Sequence, residues 1–119
     1  MKVNVLVILV CIALGGCSTV SPGGYYWGKY SYTYHDLLKS PGDSTRAAHE
    51  ETLRDIVAKS NDKGLRTPPG IHAELGNLLS KANRHDEAIA HYDAERELYP
   101  ESAVFLQRLL VKPKIGAEE

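Results

Sequence analysis

Apolar positions follow two regimes along this chain of 119 residues. From Val3 to Leu14 they run almost unbroken (VNVLVILVCIAL). Beyond that they recur three or four residues apart, the spacing of one helical face. Tyr30, Tyr34, Leu37 and Leu38 define the inner stripe of a first short helix, ended by Ser40-Pro41-Gly42. A second helix starts at Asp43-Ser44, either of which suits an N-cap. It turns Leu53, Ile56, Val57 and Ser60 inward, with Ala48 leading in, and stops at Gly64. Glu50 with Arg54 and Asp55 with Lys59 pair at i, i+4 on its wet side. A third helix, from about Pro69 to Ala82, carries Ile71, Leu75, Leu78, Leu79 and Ala82 on one face. A fourth, from about His85 to Tyr99, carries Ala88, Ile89, Tyr92 and Tyr99. Asn83 between them sits where a left-handed residue is expected, a conformation asparagine tolerates. A last segment, Ser102 to Val111, sets Phe105, Leu106, Leu109 and Leu110 on one side as a cap. Strand alternation is scarce. The pattern predicts an all-α domain over residues 25–111, built of short antiparallel helical hairpins with a C-terminal capping helix.

The N-terminal run changes the picture. It is too short to span a bilayer as a helix, but with Met1-Lys2 before it it fits the h-region of a signal peptide. Leu14-Gly15-Gly16-Cys17 follows directly. This resembles the bacterial lipobox. The resemblance implies cleavage between Gly16 and Cys17, removal of residues 1–16, and acylation of Cys17, for example with palmitate. Ser18 after the cysteine implies, by the enteric sorting rule, the outer membrane, with the domain lipid-anchored and facing the periplasm. Cys11 is then lost and Cys17 consumed, so the mature domain has no thiol for catalysis, redox chemistry or metal binding. Removal of Lys2 takes one from the 14 basic side chains, leaving 13 against 15 acidic ones, a net −2. That balance, with no basic cluster, excludes a nucleic-acid footprint. Residues 17–24 read as a flexible tether. Eight residues separate Cys17 from Tyr25, at most about 26–29 Å at about 3.3–3.6 Å per residue. Residues 112–119 read as a disordered polar tail.

Residues 69–102 have the length of a tetratricopeptide unit. Leu75-Gly76 resembles its Leu-Gly pair, Leu79 stands for Tyr, Ala88 for the small crossing residue, Tyr92 for Phe, and Pro100 for the closing Pro. His72 replaces the common Trp and Asn83 the common Gly. Glu95 stands where that repeat has a small inward Ala. A lone buried carboxylate is costly, so Glu95 is expected to make a structural salt bridge, with Arg66 or an N-terminal Lys or Tyr as partner.

Candidate chemistry is thin. His35, His49, His72, His85 and His91 form no i, i+3 or i, i+4 pair, and there is no HExxH. They read as exposed or capping histidines, and no metal or other cofactor is expected. GxSxG, the P-loop and the dinucleotide fingerprint are absent. No catalytic set is visible, so the chain reads as no enzyme, with no small-molecule substrate. A hydrolase would need an exposed cleft gathering Glu95, a histidine and other polar groups. The strongest functional signal is GGYYWGKYSYTYHD, residues 23–36, with five of the seven tyrosines and the single tryptophan. Tyr30 and Tyr34 are assigned inward. Tyr25, Trp27 and Tyr32 remain as partner-binding candidates, since such rings bury area while keeping a polar tip. The alternative is a cell-wall glycan platform that adds Tyr26 to these three.

The order Tyr25-Tyr26-Trp27-Gly28-x-Tyr30, Lys39-Ser40-Pro41-Gly42, Pro68-Pro69-Gly70-Ile71-His72-Ala73-x-Leu75-Gly76 and Leu98-Tyr99-Pro100-Glu101-Ser102-Ala103 resembles the small proteobacterial lipoproteins grouped as domain of unknown function 4810. The resemblance covers nearly the whole mature chain. It implies no activity. It implies a cell-envelope assembly with a curli-secretion-channel-like lipoprotein and a second small lipoprotein, genes for which often lie beside members of that family.

Overall fold

The computed structural model describes residues 23–111. The expected signal peptide, the Gly16–Cys17 junction, the tether up to residue 22 and the tail 112–119 lie outside the described residues. Regular structure within them is entirely helical: α1 (Tyr30–Lys39), α2 (Asp43–Asp62), α3 (Ile71–Lys81), α4 (His85–Leu98), a 3₁₀ turn (Pro100–Ser102) and α5 (Ala103–Val111). Consecutive helices pack on one another, and α3 with α4 forms the most extensive pair.

The punctuation follows local chemistry. Gly42, not Asp43 or Ser44, precedes the first turn of α2. The cap comes from Thr45, whose hydroxyl accepts the Gly42 N–H at 3.0 Å and donates to the Ser40 carbonyl at 2.9 Å. Gly64 ends the helix, with the Leu65 N–H returning to the Ser60 carbonyl at 2.8 Å. Asn83 adopts the expected left-handed conformation, φ 60°, and turns the chain from α3 into α4. The predicted pairs Arg54–Glu50 and Lys59–Asp55 form at 2.8 and 3.0 Å.

The core lies where α2, α3 and α4 meet. Leu53 and Ile56 of α2, Ile71, Leu75 and Leu79 of α3, and Ala88 and Tyr92 of α4 are buried, and Leu106 of α5 closes one side. Gly76 makes the α3–α4 crossing close. A Cβ there would stand 2.6 Å from the Tyr92 ring and 3.1 Å from the Ala88 carbonyl oxygen.

The terminal helices depart from the predicted stripes. In α1 the covered positions are Tyr30, Thr33 and Leu37, while Tyr34 and Leu38 are 39% and 63% exposed. Of the predicted α5 stripe, Leu106 is buried and Leu109 half-buried, while Phe105 and Leu110 face solvent. Ala48, Ala82 and Ile89 are exposed too. Among the described residues α1 packs mainly on α2, and α5 mainly on α4 and the 3₁₀ turn. A wide apolar stripe there exceeds what one neighbour can cover.

Candidate functional site

The chain enters the domain through its aromatic run. Tyr25 meets Trp27 edge to face at 6.3 Å between ring centres, and Trp27 meets Tyr30 the same way at 5.6 Å. Tyr34 then stacks on Tyr30 at 5.6 Å, the planes 9° apart. The result is a continuous ladder of four rings, and Tyr25, Trp27 and Tyr34 keep open faces. Tyr32 is not part of it. At about 100° per residue it lies some 200° around α1 from Tyr30. There it lines an open polar groove of ≈ 420 Å³ between α1 and α2, with Tyr26, Lys29, Thr33, Glu51, Asp55 and others. Of the three partner-binding candidates, the fold joins Tyr25 to Trp27 and sets Tyr32 apart.

The ladder rests on a buried polar frame drawn from three helices. His49 of α2 is fully buried beneath Tyr30 and Tyr34, its ring centre 5.4 and 5.7 Å from theirs. Its Nδ1 lies 2.8 Å from the Thr33 hydroxyl, and its Nε2 lies 2.8 Å from Oε1 of Glu74 in α3. The Tyr30 hydroxyl donates to the other Glu74 oxygen at 2.7 Å. One proton arrangement satisfies every group. Thr33 donates to Nδ1 of a neutral imidazole, Nε2–H donates to the carboxylate, and so does Tyr30. Burial, then the Glu74 carboxylate, raises the Tyr30 phenol well above its ordinary range.

Glu95 is 2% exposed, and no cation pairs with it among the described residues. It corrects the expected salt bridge. Its Oε1 accepts the Gly70 N–H at 2.7 Å and its Oε2 the Ala73 N–H at 3.3 Å. It therefore caps α3 from α4. Gly70, at φ +90°, has no side chain to do so. A carboxylate at this end also meets the positive pole of the helix. Arg66 instead lies over the Tyr99 ring at 4.4 Å and donates to the Leu98 carbonyl.

The histidines are not all exposed or capping. Besides His49, His72 is buried. It stacks on His91 across the α3–α4 seam, ring centres 5.1 Å apart and Nδ1 atoms 2.9 Å apart. Burial lowers the affinity of both rings for a second proton, and for His91 the neighbouring His72 and Arg54 lower it further. Beside them, Arg54 and Arg84 bridge Glu50 and Glu87, tying α2 to the start of α4. Burial works to raise the Glu50 pKa, but hydrogen bonds from the two arginines outweigh it and bring it below the usual carboxylate value.

Among the described residues, no group of three or more His, Cys, Asp or Glu side chains is placed to hold a metal. None of their helices is long and apolar enough to cross a membrane. Thr33, His49 and Glu74 were missed by sequence reasoning, although His49, Leu53, Ile56 and Ser60 share one helical face and marked His49 as inward.

A family model described as a domain of unknown function, DUF4810, matches residues 25–109. The chain belongs to this family. The match spans the aromatic ladder, its polar frame and the Glu95 cap, and stops just short of the end of α5. No curated protein and no solved structure matches the chain.

Proposed function

We propose that this DUF4810 protein is a non-catalytic outer-membrane lipoprotein that acts as an interaction or assembly factor in a cell-envelope complex. Lipid on Cys17 holds it to the membrane, and Tyr25 and Trp27 meet a protein partner, with a curli-secretion-channel-like lipoprotein as the first candidate. The observation that carries this reading is the ladder itself. Three large rings with open faces stand on a frame of buried and half-buried hydrogen bonds, an aromatic anchor of the kind that dominates interface energetics. The tetratricopeptide-like spacing of residues 69–102 supports the same class. Crosslinking and pull-down from membranes test it. The expected result is capture of a defined envelope protein, lost in Trp27→Ala; recovery of no specific protein refutes it. Separately, Cys17→Ser is expected to abolish labelling by radioactive palmitate, and persistent labelling rejects the anchor.

The groove between α1 and α2 favours a second reading, a cell-wall glycan site. Its walls offer hydroxyls, carboxylates and amines beside Tyr26 and the exposed Tyr32, a neutral mixture suited to sugar hydroxyls. Sedimentation with purified peptidoglycan tests it through Tyr32→Ala, and unchanged binding ends it.

A further inference from the structure

The face that carries the ladder continues across α3 onto α5. Glu74 joins them. It receives the Tyr30 hydroxyl from α1 at 2.7 Å, and with Gly70, Ala73, Asn77, Phe105 and Leu109 it lines a notch of ≈ 270 Å³ between α3 and α5. One surface thus runs from Trp27 and Tyr34, past Glu74, to Phe105, which is 58% exposed.

We infer that this surface binds an extended protein segment that places a lysine or arginine over Glu74, between apolar side chains seated at the ladder and at the Phe105 notch. The inference rests on the protein-interaction reading and names the chemistry of the partner. Charge complementarity decides it. The Glu74 side chain is 25% exposed, and the one basic side chain it meets among the described residues is the His49 ring, which hydrogen-bonds to it. Among the described residues each of its oxygens holds one donor, from Tyr30 and from His49, which leaves each a second lone pair. No lysine or arginine reaches it among the described residues, although the other half-buried glutamate, Glu50, is satisfied by two arginines. An incoming cation would make a charge-assisted bond in a partly desolvated setting. Same-face side chains of an extended strand recur about every 6.6 Å. A basic residue flanked by apolar ones two positions away therefore sets all three side chains on one face, the basic one over Glu74 and an apolar one to either side.

The experiment titrates the isotope-labelled Cys17→Ser chain with three acetylated, amidated peptides. They are Ser-Phe-Ser-Lys-Ser-Leu-Ser and its counterparts with glutamine or glutamate at the centre. The lysine peptide is expected to bind about tenfold tighter than the glutamate peptide. Its shifts should cluster at Trp27, Tyr34, Glu74, Asn77 and Phe105, and its affinity should fall with added salt. Glu74→Gln, which keeps an acceptor for Tyr30, is expected to erase the preference. Phe105→Ala, on an exposed position, is expected to weaken the lysine and glutamine peptides alike while keeping their ratio. Equal binding of the three peptides, shifts centred on the α1–α2 groove, or shifts at this face from chitotetraose but from no peptide overturns the inference. If the pull-down captures a partner that Trp27→Ala loses and Glu74→Gln keeps, the interaction reading survives and the basic-segment inference falls.

Discussion

Replacing Glu95 by glutamine is a near-isosteric change with a large expected cost. The side chain is 2% exposed and its two oxygens hold the Gly70 and Ala73 N–H groups at 2.7 and 3.3 Å. A carboxamide keeps one acceptor and turns an NH₂ toward the other N–H. One buried donor is then left unpaired, at about 1–3 kcal/mol. The charge at the positive end of α3 is lost as well, worth about 0.3–2 kcal/mol. Together these give about 1–5 kcal/mol for Glu95→Gln. Glu95→Ala frees both donors and leaves a cavity, and is expected to reach about 3–5 kcal/mol. The assay is urea unfolding of the Cys17→Ser chain followed by far-ultraviolet circular dichroism, with exposed Glu97→Gln as control. Hydrogen exchange adds a local signature, since the Gly70 and Ala73 amides should lose protection before the rest of α3. If Glu95→Gln unfolds within about 0.5 kcal/mol of the parent, the carboxylate does not cap the helix and the reasoning fails.

Three further outcomes follow from the geometry. Gly76→Ala is expected to destabilise by about 1–3 kcal/mol despite better helix propensity, because its Cβ meets the Tyr92 ring at 2.6 Å; a Gly76→Ala, Tyr92→Leu double variant that recovers nothing in urea unfolding would refute the clash. The lowered His72 and His91 pKa values mean that the unfolded chain binds protons first as pH falls below the ordinary 6.5, so stability should be complete above that pH and decline below it. Urea midpoints at pH 7.5 and 5.5 measure this, and His72→Asn should flatten the difference. Trp27→Ala should change stability by less than about 1 kcal/mol, because its ring is 43% exposed; a greater loss on thermal unfolding would make the ring a structural prop.

The helices themselves were legible because their signals are local. Gly64, Asn83 and Pro100 mark stops within a few residues, and the middle helices show their stripes because they are covered on both sides. The stripes of α1 and α5 misled for the opposite reason: periodicity reports which residues share a face, and says nothing of how much of that face a neighbour covers. Glu95 was legible as an inward anomaly. Its partners were not, since backbone N–H groups 22 and 25 residues away leave no trace in residue identity. The ladder was visible as composition, yet only the helical turn count separates Tyr32 from it. Glu74 looked like an ordinary acidic residue near the start of a helix, and nothing in its neighbourhood announced that α1 and α2 both bond to it.

The hydroxyl of Thr33 has a consequence for alignment. Slide α1 forward by one turn, about 5.4 Å, and Tyr34 takes the place of Tyr30, Leu37 that of Thr33 and Leu38 that of Tyr34. A tyrosine ring again stands over His49, and an apolar side chain again lies beside it. But Leu37 then stands where Thr33 was, facing the Nδ1 of the fully buried His49, and that nitrogen loses its partner. The cost of a stranded buried polar atom, about 1–3 kcal/mol, falls on the slipped form alone. A single hydroxyl thereby fixes the register of a helix whose apolar stripe does not, and with it which tyrosines the protein shows to the outside.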